Sequence, residues 1–135
     1  MRSRLLHEAH GQRTWVLVFE TGDEVMGGIK KFAEENQLSG SHFTAIGALS
    51  DVTIGYFEWD KKQYKKIPIK EQVEVASLVG DIAENKGKPA VHAHLVVGRS
   101  DGSAAAGHLM EAHVRPTLEL VLTESPTHLH KRWIR

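Results

Sequence analysis

Apolar and polar side chains alternate with a period of two along most of this chain, and one stretch breaks that rhythm with a period near 3.6. Residues 13–20 (RTWVLVFE) place Trp15, Leu17 and Phe19 on one face, the pattern of a half-buried strand. Thr21-Gly22 ends it, and Asp23 stands where a helix cap belongs. Beyond Asp23, Val25, Ile29, Phe32 and Ala33 recur at helical spacing, with Lys30, Lys31, Glu34 and Glu35 on the other side. The helix is expected to end near Asn36 to Leu38, before Ser39-Gly40. Gly27 and Gly28 weaken its first turns and suit close packing on a sheet.

From there the pattern reads as strand after strand. His42 to Ile46 leads through Gly47 into Val52 to Trp59, Asp60-Lys61-Lys62 forms a polar turn, and Gln63 to Ile67 follows. Val73 to Val79 is the next strand, with Gly80 to Ala83 as its continuation, and Glu84 to Pro89 reads as a solvated loop. An apolar run from Val91, a turn after Gly98, and Pro116 to Thr123 complete the series, with Pro116 at a strand start where its missing N–H costs least. The expected fold is α+β, a largely antiparallel sheet of about seven strands packed with one main helix. One helix cannot cover both faces of so wide a sheet, which predicts either strong curling or a homo-oligomer, and we favour the oligomer.

Composition narrows the function. At 135 residues the chain suits a single domain, residues 1–135 with a core near 13–124. Lys plus Arg equals Asp plus Glu at 17 each, so no charge excess draws the chain to nucleic acid or to an anionic membrane. The absence of cysteine removes disulfides, thiolate ligands and a cysteine nucleophile together. No apolar stretch reaches 18 residues, and MRSRLLHEAH lacks the apolar core of a signal peptide. The expectation is a cytoplasmic protein with no membrane partner.

The densest chemistry lies in VHAHLVVGRSDGSAAAGHL, residues 91–109. His92 and His94, two apart on a strand, point to one side, while Ala93, Leu95 and Val97 point to the other. If Ser100-Asp101-Gly102 is the loop, with Gly102 left-handed, Arg99 pairs with Ser103 and His94 falls opposite His108. A two-residue loop would instead turn His108 away. Three convergent imidazoles are the donor set of a zinc site that leaves one position open; two half-buried histidines with ordinary hydrogen bonds are the competing reading.

The order VLVFETGDEVMGGIKKFAEENQLSGSHFTAIGAL, IGYFEWDKKQYKKI, EVASLVGDIA and KPAVHAHLVVGRSDGSAAAGHL resembles the plants-and-prokaryotes-conserved (PPC) domain in its stand-alone prokaryotic form, over roughly residues 13–124. The HxH followed by GHL after an Asp-Gly turn is the most specific element. The resemblance implies a largely antiparallel α/β fold, assembly into trimers, and a divalent metal, zinc by preference, on His92, His94 and His108. Plant members of the family carry Arg-Gly-Arg-Pro hooks for A·T-rich DNA, and this sequence has none.

Other candidates are weaker. Glu111, three residues past His108, is a candidate partner or base beside a metal-bound water, against its reading as an ordinary rim carboxylate. Arg115 is a candidate anion contact, and turn chemistry accounts for Asp101. His7, His10 and the second HxH (His128, His130) sit in polar termini, His42 opens a strand at the core or the rim, and His113 has no assigned place. Three functions compete: a small oligomeric metal-binding protein that offers its open position to a small-molecule ligand, a zinc-dependent hydrolase or lyase, and a DNA-associated regulator. The first accounts for the most residues.

Overall fold

The computed structural model describes residues 1–129. Seven strands and one helix follow in the order β1 (Arg2–Ala9), β2 (Gln12–Glu20), α1 (Val25–Glu35), β3 (Ser41–Glu58), β4 (Gln63–Ile69), β5 (Val73–Asn85), β6 (Lys88–Gly98) and β7 (Ala104–Glu124). All strand pairings are antiparallel, in the order β1-β2-β7-β6-β5-β3-β4 with β7 also on β3. That extra pairing curls the sheet. β3 and β7 run against each other from Ser41↔Glu124 to Gly55↔His108, while the β5–β6 hairpin joins their outer edges, so β3, β5, β6 and β7 close on themselves. Strong curling, the alternative to the favoured oligomer for one helix and a wide sheet, is therefore present.

The inner face is the core. Leu17, Phe19, Phe43, Leu78, Ala93, Leu95, Leu109 and Leu120 are all buried there, in the alternation that the sequence carries. The helix lays Val25, Ile29, Phe32 and Ala33 onto them, and Phe32 meets Trp15 edge to face at 5.4 Å. A Cβ on Gly28 would stand 2.6 Å from the Phe19 ring, so this glycine sets how closely helix and sheet approach.

Several boundaries differ from the sequence expectation, each for a local reason. Glu24, not Asp23, caps the helix: its carboxylate accepts the N–H groups of Met26 (3.2 Å) and Gly27 (2.7 Å) and also that of Ala112 (3.0 Å). Asp23 instead accepts the Glu20 N–H at 2.8 Å. Glu84 to Pro89 is no open loop; the strands run on to a two-residue turn at Lys86-Gly87, both with positive φ (55° and 79°). The stretch Arg2–Ala9 shows no alternation yet forms β1 by adding to the edge of β2 through a similar His10-Gly11 turn, and His7 and His10 lie exposed on it. Pro116 lies inside β7, where the register on β3 jumps from Leu49↔Val114 to Gly47↔Leu118 and the ladder needs no N–H from it.

Glu124 closes the end of the barrel. Its buried carboxylate accepts the N–H groups of Ser39 and Gly40, both at 3.0 Å, and the Ser41 hydroxyl. The segment after it is held as well: Leu129 N–H reaches the Ser39 carbonyl at 2.8 Å, and exposed His128 hydrogen-bonds the Ser39 hydroxyl. His130 and the basic residues Lys131, Arg132 and Arg135 lie outside the described residues.

Candidate metal centre

The β6–β7 turn sets the register of the centre. Arg99 N–H donates to the Ser103 carbonyl at 2.8 Å and Gly102 N–H to the Arg99 carbonyl at 2.9 Å, with Gly102 at φ 85°. This is the three-residue loop Ser100-Asp101-Gly102. Asp101 accepts the Ser103 N–H (2.8 Å) and hydroxyl (2.6 Å), which hold its carboxyl below the usual range and give it a purely structural task. With that loop His94 pairs directly with His108. His92 stands one rung further along β6, opposite Asp81 of β5. All three histidines face away from the core, since Ala93, Leu95, Val97 and Leu109 fill the inward positions between them.

The rings converge. Centroids of His92 and His94 are 4.9 Å apart, His92 and His108 5.1 Å, His94 and His108 5.6 Å, and one nitrogen from each lies within 4.8 Å of the others. His108 Nδ1 is buried with no hydrogen-bond partner among the described residues. Burial, and after it the proximity of His92 and His94, lowers the His108 pKa, which keeps the ring neutral. A buried, unpartnered nitrogen on one of three converging imidazoles costs stability as a mere packing feature, and it fits a site that an ion completes. The donor set is all nitrogen, with no thiolate, and suits zinc or a similar divalent ion.

Sequence reasoning missed the other wall of the centre. Tyr64 of β4 stacks on His108 at 4.7 Å with planes 26° apart. Gly55 of β3 lies between them in the sheet, paired with Lys66 on one side and His108 on the other. A Cβ there would stand 3.0 Å from both the Tyr64 ring and the Met110 sulfur, so the glycine is the gap across which Tyr64 reaches His108. Phe57 meets Tyr64 at 5.3 Å and Trp59 at 6.4 Å, edge to face in both contacts. Nothing local in Gln63 to Ile67 signals this, because the contact exists only once β4, β3 and β7 lie side by side.

Glu111 and Arg115 are not brought to the histidines. Glu111 is three strand residues beyond His108, about 10 Å along the sheet, and pairs with Thr53. It lines a separate cleft with Asp51, Lys70 and Arg115, and the Arg115 Nε donates to Gln72 Oε1 at 2.8 Å. His113 is taken by Asp51, Nδ1 to Oδ1 at 2.9 Å, which raises the histidine's pKa and lowers the carboxylate's. His42 is exposed on β3 opposite Asp81. Among the described residues no helix is long and apolar enough to cross a membrane.

The Plants and Prokaryotes Conserved (PCC) domain model matches residues 6–126. No curated protein matches the chain. Among solved structures, a plant- and prokaryote-conserved protein from Pyrococcus horikoshii is similar at 30% identity and a TM-score of 0.85, over 99% of this chain and 90% of its own. A metal-containing protein from Archaeoglobus fulgidus is similar at 31% identity and 0.81, over 90% of this chain and 86% of its own. A "putative DNA-binding protein" from Bacteroides thetaiotaomicron is similar at 25% identity and 0.83, over 93% and 86%.

Proposed function

We propose that this chain, which belongs to the Plants and Prokaryotes Conserved domain family, is a homotrimeric metal-binding protein that offers an open coordination position to a small-molecule ligand. His92, His94 and His108 hold the ion, zinc by preference. The observation that carries this reading is the convergence of three imidazoles, one nitrogen of each within 4.8 Å of the others, on a histidine whose buried Nδ1 has no hydrogen-bond partner among the described residues. A divalent ion on three imidazoles supplies a Lewis-acidic, exchangeable fourth position. The chain's own contribution is to hold the rings: the Arg99–Ser103 turn fixes the register, and Tyr64 fixes the plane of His108. The metal-containing relative from Archaeoglobus is consistent with this.

The trimer rests on the outer face of the sheet. Ile46 (59% exposed), Val79 (55%), Val121 (45%) and Val96 (36%) lie there, and Thr44 pairs with both Val79 and Val121 so that the patch is continuous. The single helix covers the other face, which leaves these side chains for a second copy. A hydrolase or lyase reading loses its carboxylate, since Glu111 stands in another cleft. A DNA-associated role draws on the name of the Bacteroides relative, and a linear fall of log affinity with log salt on duplex DNA is its signature.

Metal analysis tests the proposal. Purified untagged protein is expected to carry about one divalent ion per chain, and a His92→Ala/His94→Ala variant none. Equal metal content in the two proteins would sink the assignment.

A further inference from the structure

The strip of aromatic rings that begins at His108 extends well past the metal centre and has no task in the core. Tyr64 (42% exposed), Phe57 (40%) and Trp59 (71%) form one connected row, each ring touching the next. Phe57 and Tyr64 are directly paired across β3 and β4, on the same face as Gly55, Lys66 and His108. The inward face of this hairpin already has its own residues, with Ile54 and Ile69 buried, so the strip is not a spill-over of the core. Lys62 Nζ lies over one face of Trp59, 3.1 Å from the centroid, and the remaining exposed ring surface of the strip is where another aromatic ring finds favourable partners.

Charge points the same way. Lys66 stands two strand spacings from His108, about 10 Å, on the shared face, close enough for its long side chain to reach toward the centre. Lys66 and Tyr64 both belong to β4, so the cation and the aromatic rings lie together on the β4 side of His108. We propose that Tyr64, Phe57, Trp59 and Lys66 form a subsite for an aromatic carboxylate, whose carboxylate takes the open metal position while its ring crosses His108 onto the strip, with Lys66 at its border. The proposal rests on the metal reading above and adds the class of ligand.

The test uses the full chain loaded with cobalt(II), whose visible absorption reports on the ligands around the ion. 2-Naphthoate is titrated against cyclohexanecarboxylate and acetate. Naphthoate is expected to shift the bands at about tenfold lower concentration than cyclohexanecarboxylate, the margin that ring–ring contacts provide. Phe57→Ala, which removes neither a histidine nor Tyr64, is expected to retain cobalt and lose that preference. Trp59→Ala, at the most exposed end of the strip, serves the same purpose should Phe57→Ala fail to fold. Equal response to the two bulky acids, or a preference that survives both substitutions, overturns the subsite and leaves the metal reading standing. A wild-type protein that binds no cobalt overturns both. Absent discrimination together with a Trp59→Ala variant of smaller assembled mass would assign the strip to a subunit contact instead.

Discussion

Single residues in this protein carry tasks that their types do not announce. Glu124 is a carboxylate buried at the end of a strand, and it persists there because two backbone N–H groups and a hydroxyl satisfy it. Gly80 lies between the Phe43 ring and the His92 carbonyl, 2.6 Å from where its Cβ would be, so the backbone that carries a candidate ligand histidine leans on a missing side chain. Asp51 and His113 make a pH-dependent pair. The hydrogen bond from His113 is the main cause that lowers the Asp51 pKa, and the reciprocal bond raises that of His113. Stability from the raised histidine is present below its ordinary 6.5 and fades as pH rises through its folded value. Stability from the lowered carboxylate is present above 3.8 and fades as pH falls through its folded value. The Asp51→Asn penalty is therefore expected to be largest near pH 5.5 and to shrink by pH 8.5, as read by urea unfolding at both. An equal penalty at the two values would refute the pairing.

At the scale of elements, the helix start joins two parts of the sheet. Glu24 caps α1 and at the same time accepts the Ala112 N–H of β7, so one side chain ends the helix and pins it to the strand that carries His108. Glu24→Ala is expected to cost about 1–2 kcal/mol, the usual loss for a cap, measured as a lower urea midpoint with an unchanged m-value. A change below a few tenths would show that water replaces the carboxylate at no cost. The β6–β7 hairpin is self-contained by contrast. Its turn, its Asp101–Ser103 bonds and the His94–His108 pair all lie within one short piece of chain, which makes the core of the candidate metal centre a local structure.

For the whole molecule, closure of the barrel decides which faces are left over. β3 at 18 residues and β7 at 21 are long enough for each to serve two neighbours on its outer edge, and their mutual pairing turns the sheet inside onto the helix. Among the apolar side chains left outside are the valine and isoleucine patch and the aromatic strip. Wild-type protein is expected to have three times the chain mass in light scattering, and Ile46→Glu, a charge at the centre of the patch and away from the histidines, a smaller mass. A monomeric wild type at micromolar concentration would overturn the trimer.

The sequence by itself determined most of the elements and, given a three-residue loop, the histidine pair. Period-two alternation marks β2, β3, β5, β6 and β7 because one face of each is buried, and the three-residue Ser100-Asp101-Gly102 turn sets the His94–His108 register through chain chemistry within a single hairpin. Glu24 and Asp23 were confused because both are acidic and adjacent, and only the position of Ala112 on a distant strand chooses between them. β1 and the tight Lys86-Gly87 turn were hidden because edge pairing and exposed hairpin ends leave no hydrophobic period. Tyr64 over Gly55, the removal of Glu111 to another cleft and the continuous outer patch were decided by tertiary structure alone. Each depends on β3 and β7 meeting along their length, and a contact between strands so far apart in the chain leaves no trace in local pattern.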